Sequence, residues 1–391
     1  MSTERMIRVC VPAPNHSAYD EMLACPPSGI AYTHPRGPAA SQPFAGPRLR
    51  SVLISVAQRS GRAMRAYQKW KIRAYDARIA AMGRSDLSLC CGHICDGRSW
   101  VGDFENVNVL SLYAPEVLWN QGYRAFLAEM LLSDHCRAIR VWSESAARSF
   151  RAVFHEERIL GKIRVVYPAM SPPECGGCDA RAGQDPPLIV FVGRSYWIKG
   201  GQIFLDALAI LKSRRTLRAA FVCDIPPGER EYYTRRLGDC VSFYQPAFSR
   251  EDLYGRFYRR ASMVVMLGMA DSYGMVLLEA AAFGLPVIAF DLRSGLTDLL
   301  RKTRNAIQLP PPYHLFDADG IHRCTAGEIV SALRRKHHLA ESEAVAEAID
   351  SLLRDPDRAR SLGEQGRTAI AGELSMQQMN ARMKEMLREA A

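Results

Sequence analysis

Long apolar runs are missing from this 391-residue chain. No stretch of about 18 uncharged apolar residues occurs, so a membrane-spanning helix is not expected. The opening residues, Met1-Ser-Thr-Glu-Arg-Met-Ile-Arg-Val-Cys-Val-Pro12, lack the extended apolar core of a secretory leader, and a cytoplasmic location is the expectation. A disulfide framework is also lacking. The 11 cysteines are odd in number and scattered among apolar neighbours, a pattern of reduced thiols. Cys175-Gly-Gly-Cys178 has ligand-like spacing, but no second pair at zinc spacing stands near it, and Cys90, Cys91 and Cys95 belong to a separate strand region. No metal site is assigned on this basis.

Acidic residues are scarce in one segment. Between Arg48 and Arg84 ten basic residues face a single acid, Asp76, so nearly all of the chain's net charge of +10 is local. The cations interleave with Val52, Leu53, Ile54, Val56, Met64, Tyr67, Trp70, Ile72 and Tyr75. A basic amphipathic helix of this kind can lie on an anionic membrane surface, which would place the protein at the inner face of the membrane. The alternative is that its apolar side packs on the amino-terminal sheet while its cations are solvated. Nucleic-acid binding through the same segment is disfavoured, because no zinc-finger, RNP-like or helix-turn-helix signal accompanies it.

What is present is an alternation of strand and helix signals. Length alone points to two domains of roughly 150 to 200 residues. Ile7–Val11, Asp86–Cys91, Trp100–Glu105, Ala138–Trp142 and Lys162–Tyr167 read as strands of a first domain, residues 1–170. Residues 25–48, rich in Pro, Gly and Ser, read as a long irregular loop, and Val52 to about Ala81 as a basic helix. Residues 171–187, with clustered proline and glycine, read as a linker. Leu188–Val192, Ala219–Cys223, Val241–Tyr244, Ser262–Leu267 and Pro286–Phe290 are the strands expected in a second domain, 188–375, with the last helix, about 376–391, packing back on the first. The fold class is α/β, and ligands of such sheets bind beyond the carboxyl ends of the strands.

Chemistry concentrates at two places in the second domain. Phe191-Val-Gly193-Arg194 ends an apolar strand and Lys199-Gly200-Gly201 opens the next helix. A strand-to-helix turn with two cations and free amides suits a phosphate-like anion, although no P-loop is present. The second place is Asp271-Ser272-Tyr273-Gly274-Met275-Val-Leu-Leu-Glu279. Ser272, Tyr273, Gly274 and Met275 would offer helix-start amides to the same anion. Asp271 stands just before the helix, where the helix dipole also favours it. Glu279 sits inside an apolar helical run, where an ionised carboxylate is costly without a partner.

The succession of these motifs, with Ser249-Arg-Glu-Asp-Leu253 between them and Gly284-Leu-Pro-Val-Ile-Ala289 after them, resembles the retaining glycosyltransferases of family 4 over about residues 188 to 310. The resemblance implies the GT-B fold, two facing Rossmann-like domains with a cleft between them. It implies transfer of a sugar from a nucleotide-diphosphate donor to an acceptor hydroxyl with retention, no required cofactor or metal, and a glycan, a lipid-linked molecule or a small molecule as acceptor. Cell-surface glycan, glycolipid or secondary-metabolite biosynthesis would be its setting. The family's E-x7-E motif stands here as Asp271 and Glu279, which would contact the donor sugar and the ribose, while Gly193, Arg194 and Lys199 would hold the diphosphate. Glu105 falls where the family often has a sugar-site His, and His93 is a neighbouring loop histidine. The chain departs from the family in Asp271 for Glu, in Asp298 for a second Glu, and in Pro12–Ser17 where a Gly-Gly pair is usual. Other readings are a phosphorylase or nucleotide-sugar epimerase on the same fold, or a catalytically silent binding protein.

Overall fold

A computed structural model describes residues 5–14, 16–35, 47–173 and 186–391, with 47–51 described by backbone alone. The chain divides into two units: residues 1–169 with 316–325 and 374–391, and residues 170–315 with 326–373. Each unit carries one six-stranded sheet whose paired strands all run parallel.

The first sheet contains β1 (Ile7–Cys10), β2 (Ile30–Thr33), β3 (Leu87–Cys91), β4 (Trp100–Phe104), β5 (Cys136–Val141) and β6 (Ile163–Val165), in the order β2-β1-β3-β4-β5-β6. β3 and β4 are buried at every position, as expected of strands covered by helices on both faces. The order reverses between β1 and β3, so the crevice of this sheet lies past Cys10 and Cys91. A buried ion pair fastens β4 to β5: Arg140 Nη1 donates to Asp103 Oδ2 at 2.7 Å, and Trp142 Nε1 donates to Asp103 Oδ1 at 2.5 Å. The last helix, Met376–Ala390, contacts β4 and β5 within this unit.

Two expectations are corrected here. The segment read as a long irregular loop contains β2, whose four residues pair with β1 from Ile7 opposite Ile30 to Cys10 opposite Thr33. So short an edge strand, bounded by Pro27 and Gly29, has too few residues to show a period, and its partner supplies the order. The basic helix is two helices, Pro47–Ala57 and Gly61–Ala81. Ser60 divides them by capping the second, its side chain accepting from the Ala63 amide at 3.2 Å. Cys175 and Cys178 lie outside the described residues.

The second sheet contains β7 (Leu188–Ser195), β8 (Arg218–Asp224), β9 (Val241–Tyr244), β10 (Met263–Met266), β11 (Val287–Phe290) and β12 (Ala306–Leu309), in the order β12-β11-β10-β7-β8-β9. Read from β9, this is the 3-2-1-4-5-6 order of nucleotide-binding sheets, reversing between β7 and β10. β10 and β11 are wholly buried. Phe191 anchors the core under β7, with its ring centroid 5.1 Å from that of Phe204 and 4.8 Å from that of Phe221.

Candidate active site at the switch point of the second sheet

The carboxyl ends of β7 and β10 carry the residues singled out above. After β7 the chain turns tightly: the Lys199 amide donates to Ser195 O at 3.0 Å and the Gly201 amide to Tyr196 O at 2.8 Å. Gly200 then starts the helix Gly201–Lys212 with φ of +73°. A Cβ there would lie 2.7 Å from Leu267 O, so the loop after β10 can approach only a glycine. The two loops are joined directly, the Met269 amide donating to Ile198 O at 2.9 Å.

This junction brings Lys199 and Asp271 together. Lys199 Nζ donates to Asp271 Oδ1 in an ion pair whose side chains are 30% and 12% exposed. Asp271 Oδ2 has no hydrogen-bond partner among the described residues although it is buried. An unsatisfied carboxylate oxygen costs free energy unless something else occupies its lone pairs. The Asp271 carbonyl is held from the other side by Ser294 Oγ, which donates to it at 2.7 Å. Ser294 also caps the helix Gly295–Thr303, so Asp271 is tied to a third loop of the same edge. Asp298 is buried in that helix.

The helix after β10, Met275–Ala282, is capped by Gly274 at φ +94°. A Cβ at Gly274 would come within 2.5 Å of Leu296 Cδ1, so here too both backbone angle and space require glycine. The first amides of this helix have no intrahelical acceptor and carry its positive end. Ser272 and Tyr273 are buried beside it, and Met275 is half-buried. Arg194 is exposed beyond the end of β7's core and has no carboxylate partner among the described residues, while Gly193 packs against the Lys199 stem.

Glu279 has partners that the sequence reading did not name. Tyr258 Oη donates to its Oε2 at 3.0 Å, Tyr254 Oη to its Oε1 at 3.2 Å, and Arg250 Nε stands 3.9 Å from Oε1. Burial pushes the Glu279 carboxyl up from its ordinary range, against the pull of Arg250 and the two hydroxyls. Residues 250, 254 and 258 recur every four positions, a helix-face spacing that could have exposed this cluster. Ser249 starts the helix as the sequence suggested, its Oγ accepting from the Asp252 amide at 3.1 Å.

Glu105 and His93 belong to the first unit, and the residues just described belong to the second. Glu105 follows β4 and accepts a hydrogen bond from Tyr113 Oη. His93 is buried, its ring stacked on Tyr75 at 3.5 Å and 11°, with Nδ1 3.0 Å from Cys91 O. Burial lowers its pKa to about 3, so the imidazole is neutral. A cavity of about 140 Å³ in the second unit is lined by Leu188, Arg218, Asp239, Tyr244, Arg256 and Arg260. Leu188 and Arg218 begin their strands, so this cavity borders the amino ends of β7 and β8.

Residues 186–319 match the family model described as Glycosyl transferases group 1. A D-inositol 3-phosphate glycosyltransferase of Streptomyces scabiei is 30% identical over 188 residues, covering 43% of this chain and 42% of that protein. The chain thus aligns with less than half the length of that curated relative. Among solved structures, sucrose-phosphate synthase from Thermosynechococcus elongatus superposes with a TM-score of 0.65 at 19% identity, covering 98% of this chain and 99% of the other. Anabaena HepE in complex with UDP gives 0.60 at 14% identity, covering 98% and 100%. The fold is therefore GT-B, with two Rossmann-like units.

Proposed function

We propose that this chain is a retaining glycosyltransferase of family 4, moving a sugar from a nucleotide-diphosphate donor to an acceptor hydroxyl. The observation that carries the reading is the meeting of Lys199 and the half-satisfied Asp271 at the switch point of the second sheet, beside the amino end of the helix Met275–Ala282. Open α/β sheets bind ligands at this position, and a helix start with a cation beside it is suited to a diphosphate.

In this mechanism Lys199, Arg194 and the amides after Gly274 stabilise the departing diphosphate as the glycosidic bond breaks, while the sugar carries oxocarbenium character. Lys199 pairs with Asp271 in the free protein and turns part of its charge to the phosphate once donor arrives. Asp271 then accepts from donor-sugar hydroxyls through Oδ2, the atom without a partner. Glu279 takes the ribose hydroxyls, displacing the longer of its two tyrosine contacts, that with Tyr254. Glu105 is assigned to orienting a donor or acceptor hydroxyl. These cations and amides can neutralise the leaving group, so the mechanism assigns no step to a cofactor. The test is donor-dependent release of UDP, GDP or dTDP only when an acceptor is present; release without acceptor, or phosphate-dependent cleavage, would favour a hydrolase or phosphorylase instead.

A peripheral membrane contact is the second reading, favoured by one observation. Helix Gly61–Ala81 buries Met64, Gln68, Ile72, Tyr75 and Ile79 and leaves Arg62, Arg65, Lys69 and Arg73 exposed. Val52, Val56 and Trp70 stand exposed nearby, at 59%, 46% and 42%. No described helix is long and apolar enough to cross a membrane. Salt-sensitive flotation with anionic vesicles supports the contact, and a protein that stays behind at all salt concentrations excludes it.

A further inference from the structure

The turn after β3 holds a second cluster, at the carboxyl edge of the first sheet. A ring nitrogen of His93 and the sulfurs of Cys90 and Cys95 lie within 4.8 Å of one another, and all three residues are buried. The two sulfurs are 2.8 Å apart. Cys90 lies in β3 and His93 and Cys95 follow it in the turn, whose start is tied to β4 where the Gly92 amide donates to Asp103 O at 2.8 Å. His93 is 2% exposed, and its Nε2 has no hydrogen-bond partner. Because Nδ1 faces Cys91 O at 3.0 Å, the proton belongs on Nδ1 and the lone pair on Nε2. A neutral, buried, unpartnered imidazole lone pair beside two thiols is a donor set in search of an acceptor.

We propose that Cys90, Cys95 and His93 form a binding site for one zinc ion that pins the turn between β3 and β4. The donor set is the borderline-soft one that zinc takes, with ligand distances of about 2.3 Å to sulfur and about 2.0 Å to nitrogen, and a tetrahedral ion at those distances would part the two sulfurs to about 3.8 Å. Charge balance selects a divalent ion: two thiolates and a neutral imidazole around Zn²⁺ leave no net charge in a fully buried place, whereas a monovalent ion would leave an uncompensated negative charge. Binding converts two thiols to thiolates and releases two protons, with no change of oxidation state. The Cys91 carbonyl fixes the imidazole tautomer, as the outer partners of zinc-bound histidines do. The Tyr75 ring stacked on His93 connects the site to the basic helix Gly61–Ala81, so the ion would brace that helix and the crevice turn together. No fourth Cys, His or carboxylate ligand joins the group among the described residues, so the fourth tetrahedral position would be left to a non-protein ligand such as water.

The test starts from full-length protein purified under reductant and stripped with a chelator. Zinc chloride alone is titrated back, and metal content, melting temperature and, with Co²⁺ as a substitute, the thiolate-to-cobalt charge-transfer band are measured. One zinc per chain, a rise in melting temperature and a cobalt–thiolate band are expected. The band and the retained zinc should be lost in Cys95→Ser, and His93→Gln should weaken zinc binding at least tenfold while remaining folded. Failure of folded wild-type protein to retain zinc or show the band would overturn the proposal. So would an unchanged band in Cys95→Ser, which would place the metal on other thiols, or a Cys90–Cys95 disulfide found by mass spectrometry in protein purified without reductant.

Discussion

The carboxyl edges of the two sheets carry the same topological feature with opposite chemistry. At the second sheet, Asp271 shares Lys199 near the surface and keeps one oxygen without a partner. In the first, the buried carboxylate is Asp103, inside β4 rather than beyond it, and both its oxygens are taken by Arg140 and Trp142. Burial pushes the Asp103 carboxyl up while Arg140 pulls it down. A carboxylate with both oxygens bonded by protein holds strands together; one with a single bonded oxygen is available to a ligand. The turns differ as well: glycines and a lysine follow β7 in the second sheet, and buried cysteines with a buried histidine stand at the end of β3 in the first.

Removing a partner from each pair should break the comparison in opposite directions. Asp103→Ala leaves Arg140 buried without its counter-charge and should cost about 3–5 kcal/mol of stability, read as a large drop in the urea midpoint. Lys199→Ala leaves Asp271, whose side chain is 12% exposed, without its counter-charge and should cost about 1–3 kcal/mol of stability, less than Asp103→Ala, while lowering transfer by about 10²–10³-fold through the lost leaving-group stabilisation. If Lys199→Ala destabilised the fold as much as Asp103→Ala, the second pair would be structural as well. A smaller effect is expected at Gly274→Ala, where the left-handed backbone costs about 1–2 kcal/mol; crowding against Leu296 should also impair donor binding, measured by calorimetry. Ser143→Ala removes the cap accepting from the Ala146 amide at 3.0 Å and should cost about 1 kcal/mol with transfer unchanged, a control in the first unit.

The pH dependence of Glu279 gives the finest distinction. Its folded carboxyl titrates above the ordinary value of 4.5, so the native state holds a proton that the unfolded chain has released. Its contribution to stability is present below that value and declines as pH rises through the raised folded value. Wild type minus Glu279→Gln, compared by denaturation in a pH series, should therefore decrease with rising pH across that window. A difference that grows with pH would mean that the two tyrosines and Arg250 outweigh burial.

Much of the second sheet was legible in the sequence because its strands are continuous apolar runs and must be buried on both faces. β2 was not, since four edge residues acquire their order from β1. The split of the basic helix hinged on Ser60, a single cap inside a pattern that otherwise continued. Residues 316–325 joined the first unit through contacts no periodicity encodes: Asn108 Nδ2 donates to Gly320 O at 3.0 Å, and the His322 amide donates to Asn108 Oδ1 at 2.9 Å. At the site, the spacing of Lys199 and Asp271 pointed to one turn each, but only the fold brings them into an ion pair 72 positions apart. The partners of Glu279 lie on the helix Arg250–Arg256 and the 3-10 turn after it, and the Cys90, His93 and Cys95 cluster is hidden because its cysteines read as part of a strand region and its histidine as a loop residue.

Donor binding by the second switch point is tested most directly by thermal shift with UDP-, GDP- and dTDP-sugars on wild type and Lys199→Ala side by side. A donor that binds the native state raises the melting temperature by mass action. At least one donor should do so in wild type, with the shift largely lost in Lys199→Ala while the unliganded variant stays folded. An equal shift in both proteins would contradict the placement of the diphosphate at Lys199 and Asp271.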